Sequence, residues 1–132
     1  MPEVNWIAVG LCAVSSLVLG GIWYSPPLFA RAWQTAAGLS DEQARSGNMG
    51  LILGGAFLLS LIAAAVFAMF LGNQMSVGAA TAAGFAAGLC WVAASYGISY
   101  GFERRPLKLW LINGGYHTLQ FTLFGLILGL MQ

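Results

Sequence analysis

The sequence predicts an all-α integral membrane protein: a four-transmembrane-helix bundle with a short interfacial helix in its first cytoplasmic connection. Three observations carry this reading. The first is composition. Only 7% of the 132 residues are charged against 59% hydrophobic, and the five Lys+Arg and four Asp+Glu leave a net charge of +1. Soluble domains average about 25% charged residues, and a chain of 13.9 kDa with a mean hydropathy of +0.80 cannot clothe a water-facing surface with so few charges. This excludes an ordinary soluble globule, a disordered chain, a basic nucleic-acid binder and a disulfide-stapled module. The second is the presence of four apolar stretches of bilayer length. The third is the position of the cations, which fall in or beside two connections on one side of the proposed membrane.

Crossing the hydrocarbon core takes about 20 apolar residues at ~1.5 Å each. Spans are expected over about 4–24, 48–72, 76–100 and 107–131. Each should be an α-helix, because backbone groups in lipid must be satisfied within their own segment. All nine charged residues can be left outside the hydrocarbon, with Lys108 at the mouth of the fourth span. The first span starts with no Lys or Arg and runs into Trp23-Tyr24-Ser25-Pro26, so it reads as a retained helix and not a cleaved signal. The chain is then a single transmembrane domain over 1–132.

The connections 25–47 and 101–106 lie on one side. The N-terminus, the turn Asn73-Gln74-Met75 and the C-terminus lie on the other. Arg31, Arg45, Arg104, Arg105 and Lys108 all belong to the first side, which the positive-inside rule makes cytoplasmic, with both termini non-cytoplasmic. Trp23, Tyr24, Trp33, Tyr100 and Trp110 gather at that boundary and Trp6 at the other, as amphipathic rings do.

Within the first connection Pro26-Pro27 stops the helix. Leu28, Phe29, Ala32, Trp33 and Ala36 then share one face of an expected short interfacial helix over 28–37; the alternative is a plain tether. Gly38 is a stop signal. Ser40 is an expected N-cap with Gln43 three residues on, and the helix it opens is expected to break or bend near Gly47.

Membrane helices associate through close contact of small residues. Ala80, Gly84 and Gly88 are spaced by four in the third span, and Gly125 and Gly129 in the fourth. These faces could pack within one bundle or join copies of the chain. The expectation is a homo-oligomer, with the third span as its contact. A short repeat, Gly21-Ile22-Trp23-Tyr24 against Gly97-Ile98-Ser99-Tyr100, relates spans one and three in the same direction.

No Asp, Glu, Lys or Arg stands at mid-depth. The lone His117 lies roughly 15 Å into span four. Asn113 and Gln120 share its helix face and Tyr116 flanks it. Depth counting puts Ser16, Ser60 and Trp91 at the same level. Such a stripe should face protein or water and not lipid. Two readings stand: an interhelical hydrogen-bond network that fixes register, or a polar layer that binds a small solute or gates a passage. No metal site is expected from one His and two Cys, and no cofactor motif is present. Cys12 and Cys90 differ in depth by about 9 Å along their helices, beyond the ~7 Å limit for a bridge, so both should be free thiols.

Asn5-Trp6-Ile7-Ala8-Val9, the element Trp23-Tyr24-Ser25-Pro26 with Phe29 and Trp33, Gly38-Leu39-Ser40, Gly47-Asn48-Met49 and Ile112-Asn113-Gly114-Gly115-Tyr116-His117 resemble the domain of unknown function 1761 family across nearly the whole chain. The resemblance implies four spans and a bacterial inner membrane. It supplies no activity and no catalytic residues. The function expected from the sequence is a non-enzymatic, homo-oligomeric assembly or interaction module in the lipid bilayer. The alternative is a small-solute transporter or channel built on the His117 face, for a ligand the sequence leaves unknown. A membrane enzyme ranks third.

Overall fold

The structure, a computed structural model, describes residues 3–132 and contains helices and turns with no strand among them. Helix α1 spans Trp6–Trp23, α2 Ala30–Ala37, α3 Asp41–Arg45, α4 Met49–Leu71, α5 Val77–Ala87, α6 Ala94–Phe102 and α7 Leu107–Leu130. Between α5 and α6 the chain does not break. A π-helical turn, Gly88–Ala93, joins them into one rod.

The ends follow capping chemistry. Asn5, Asn48 and Ser76 each accept a backbone N–H three residues on, opening α1, α4 and α5. Ser40 and Gln43 form a reciprocal capping box at α3. Gly38 ends α2 in the left-handed region, φ 75°, where a side chain would be strained. The short helix in the first connection therefore forms, two residues later than expected, after a turn in which Phe29 N–H bonds back to the Trp23 carbonyl. The break expected near Gly47 separates α3 from α4.

Three rods are long and apolar enough to cross a membrane: Trp6–Trp23, Met49–Leu71 and Val77–Phe102. The fourth, α7, has 24 residues, about 36 Å of helix, but Asn113, Tyr116, His117, Thr118 and Gln120 interrupt its apolarity. It compensates by position. α7 packs against α1 on one side and the α5–α6 rod on the other, and α2 lies across its beginning. α4 leans on α1 at the outside. The most polar rod is thus the most covered, as a low-dielectric surround requires.

At one end, Asn5 Nδ2 donates to the Met131 carbonyl at 2.7 Å and Gln132 Nε2 donates to the Met75 carbonyl. The start of α1, the α4–α5 turn and the end of α7 meet there. The apolar core fills this half: Val9, Cys12, Ala64, Phe67 and Leu128 surround Phe124, which is 0% exposed.

The α5–α7 seam is main chain against main chain. A Cβ on Gly84 would meet the Phe121 carbonyl, and one on Gly88 would lie 2.8 Å from both His117 O and Thr118 Cα. A Cβ on Gly125 would meet the Ala80 carbonyl, and one on Gly129 would lie 3.1 Å from Val77 Cα. The small-residue face assigned above to contact between copies is therefore consumed inside the chain. The reason is that α7 supplies a matching glycine stripe and lies next in sequence to the rod. Both cysteines are free, Cys12 buried and Cys90 on the exposed face.

Candidate functional site in the polar half of the bundle

The half of the bundle towards α2 holds a different interior, an uncharged cluster of hydroxyl, amide and imidazole groups. Asn113 sits at the end nearest the start of α7. Tyr24 Oη donates to Asn113 Oδ1 at 2.6 Å, and Asn113 Nδ2 donates to Tyr100 Oη at 2.9 Å. These tyrosines end the two copies of the short sequence repeat, so matched positions of α1 and α6 close on one amide of α7. Deeper, Tyr116 Oη donates to the Ser16 carbonyl at 2.8 Å and Gln120 Nε2 donates to Ser16 Oγ at 2.9 Å. Gln120 is 6% exposed and Ser16 1%.

The Gln120 amide orients His117. With its nitrogen committed to Ser16, its Oε1 faces His117 Nδ1 at 2.7 Å. A carbonyl oxygen only accepts, so Nδ1 carries the proton and Nε2 of the neutral ring presents a lone pair. Tyr96 stacks on that ring at 5.0 Å with an interplanar angle of 13°, and Tyr116 meets it edge-on at 5.0 Å. Tyr100 in turn contacts Tyr96 at 5.5 Å, and Trp33 of α2 covers Tyr24 at 5.8 Å.

Two groups remain open. His117 Nε2 and Tyr96 Oη make no hydrogen bond among the described residues. No fully buried side-chain nitrogen or oxygen there lacks a partner among the described residues, so neither atom is completely buried.

The structure thus brings Ser16, Asn113, Tyr116, His117 and Gln120 together. Ser60 is buried on α4 but makes no side-chain hydrogen bond among the described residues. Trp91 is not in the cluster: it is 66% exposed and lines an apolar groove with Val66, Phe70 and Phe121. The cause is the π-turn. In an uninterrupted α-helix, Trp91 would follow Gly84 and Gly88 on the α7-facing side. The wider turn shifts the register, so Ala93, Gly97 and Tyr100 take that side and Trp91 swings outward. Trp110 Nε1 then donates to the Ala93 carbonyl at 2.7 Å, pinning the turn to α7.

The sequence does not single out Tyr96; it marks Tyr24 and Tyr100 as boundary aromatics and repeat partners, with Tyr24 also in the family-like element, but not as members of the polar cluster. The repeat that pairs Tyr24 with Tyr100 was the available signal. In the Trp-Tyr-Ser-Pro element, Trp23 Nε1 donates to the Ile112 carbonyl at 2.9 Å, Ser25 Oγ donates to the Ile22 carbonyl at 2.6 Å, and Pro26 follows the end of α1. The element docks the end of α1 onto α7 beside Asn113.

A family model described as a protein of unknown function, DUF1761, matches residues 7–129. The chain belongs to the DUF1761 family. The DUF1761 match takes in α1 and α7 but for one terminal residue of each, every helix between them and the whole polar cluster, and leaves the capping Asn5 outside. No curated protein and no solved structure matches the chain.

Proposed function

We propose that this DUF1761 protein is a single four-span domain of the bacterial inner membrane that binds a small uncharged polar solute at the His117 cluster and passes it across the bilayer. In this reading α7 is the fourth span, both termini are non-cytoplasmic, and the chain acts without enzymatic chemistry. The observation that carries it is the open end of an otherwise closed network. Ser16, Asn113, Tyr116 and Gln120 spend their groups on one another or on α1 and α6, whereas His117 Nε2 and Tyr96 Oη offer an acceptor and a donor to something outside the chain. A network that only fixed register would have no reason to leave them free. The absence of a charged group favours an uncharged ligand, because an ion would lack a counter-charge there.

The test is stopped-flow shrink–swell of proteoliposomes with a panel of glycerol, urea and small amides. Faster equilibration of a panel member, lost in His117→Ala with helicity and elution volume unchanged, supports the reading. Equilibration no faster than empty vesicles for the whole panel refutes it.

A second reading, a homo-oligomeric assembly module, draws on α4. From Met49 to Leu59 every residue but Gly55 and Phe57 is exposed, Leu51, Ile52, Leu53 and Leu58 among them. Gly50 and Gly54 on that stretch would allow a second copy close approach. Cross-linking through Gly54→Cys in membranes tests it: a dimer band supports the contact, and a monomer at all protein-to-lipid ratios removes it.

A further inference from the structure

The face of α7 opposite the polar cluster borders a groove of about 360 Å³ between the end of α1, the α5 rod and α7. Two indoles, Trp23 and Trp110, flank it. Leu111 and Leu119 mark its outer and inner ends, and Gly114-Gly115 form its floor. Both indole N–H groups are spent on backbone carbonyls, at 2.9 and 2.7 Å, so the walls offer a ligand only carbon surface. The floor is deep because the glycines carry no side chain. A Cβ on Gly115 would already lie 3.0 Å from the Trp23 ring.

Two features select the occupant. Lys108 stands one turn before Leu111 on the same helix face; it is exposed and has no ion pair or hydrogen bond among the described residues. From Lys108 to Leu119 the helix rises roughly 16 Å, about half of the ~30 Å hydrocarbon core. The groove itself, from Leu111 to Leu119, takes roughly 12 Å of that rise, and Lys108 places a cation one turn beyond its outer end.

We propose that it holds one acyl chain of an anionic phospholipid from the cytoplasmic leaflet, with the phosphate beside Lys108. The proposal rests on the membrane reading above but not on solute transport.

Trp23 and Trp110 are themselves the reporters. In full-length protein with Trp6, Trp33 and Trp91 changed to Phe, their fluorescence is followed in liposomes against the mole fraction of acyl-brominated phosphatidylglycerol or phosphatidylcholine. Half-maximal quenching is expected at an about fivefold lower mole fraction of the anionic lipid. Lys108→Gln should erase that preference, and Arg45→Gln, which removes a cation of the same leaflet away from the groove, should keep it. Superimposable curves for the two lipids, or loss of the preference in both variants, overturn the proposal. So does unquenched Trp23 and Trp110 when Trp91, kept as the single indole in a parallel variant, is quenched, since protein would then fill the groove. Failure of either lipid to quench even Trp91 would instead sink the bilayer reading.

Discussion

Replacing Gly84 by alanine puts the α5–α7 seam under a measurable load. The added Cβ would run into the Phe121 carbonyl and stand 2.9 Å from its carbon and 3.2 Å from Thr122 Cα. All of these are main-chain atoms of α7, so no rotamer change gives way and the helices must part. Relieving the carbon–carbon contact to about 3.5 Å needs ~0.6 Å of separation and the nearer carbonyl oxygen needs more, a gap that forfeits a quarter or more of each dispersion contact along the seam. Overpacking costs typically 1–3 kcal/mol, and a backbone wall places Gly84→Ala near ~3 kcal/mol. Reversible unfolding in mixed micelles, followed by circular dichroism against the mole fraction of sodium dodecyl sulfate, reads this out. Gly54→Ala is the reference within the monomer, because nothing lies within 4 Å of its Cβ; it should leave stability unchanged or raise it by up to ~1 kcal/mol, since alanine favours the helix. Gly125→Ala should match Gly84→Ala, and the double variant should cost less than the sum, since one seam opens only once. A Gly84→Ala protein as stable as Gly54→Ala would refute the close contact.

Asn113→Ala strands the hydroxyls of Tyr24 and Tyr100. At ~0.6 kcal/mol per membrane hydrogen bond it should cost about 1 kcal/mol in the same titration, with Tyr24→Phe accounting for about half. Trp91→Ala should leave stability within ~0.5 kcal/mol of the parent, as expected for an exposed residue. Trp110→Phe, which frees the Ala93 carbonyl, should cost ~1 kcal/mol; the reverse order would show that the π-turn is misplaced. Ser40→Ala removes the α3 capping box at a local cost of ~1 kcal/mol, visible as faster amide exchange at Gln43 and Ala44 while α7 stays protected.

The sequence was most informative where one physical requirement dominated. Ser40, whose side chain competes for a free N–H group, and Gly38, which tolerates the left-handed region, mark helix ends in the sequence; the capping by Asn5, Asn48 and Ser76 came only with the structure. The rods follow from apolar length. The partnering of those rods was less legible, because Gly84, Gly88, Gly125 and Gly129 serve equally well within a chain or between chains until their neighbours are known. Depth counting along straight helices puts Ser16 level with His117, and in the structure Ser16 on α1 bonds Gln120 on α7, both helices being uninterrupted. It failed for Trp91, because a π-turn rotates everything beyond it and no residue in Gly88–Ala93 announces one. The role of Tyr24 and Tyr100 was half visible: their repeat marked them as equivalent, but only the closing of both on Asn113 shows what the equivalence is for.

Four crossings of the bilayer with the cations on the cytoplasmic side are the feature on which the proposed function rests. Single cysteines introduced at Arg31, Gln74 and Arg104, in a background with Cys12 and Cys90 changed to Ala, report this through an impermeant maleimide. Cysteine at Gln74 should react in intact cells, and cysteine at Arg31 or Arg104 only after permeabilisation. Labelling of the Arg31 and Arg104 positions from opposite faces of the membrane would contradict it.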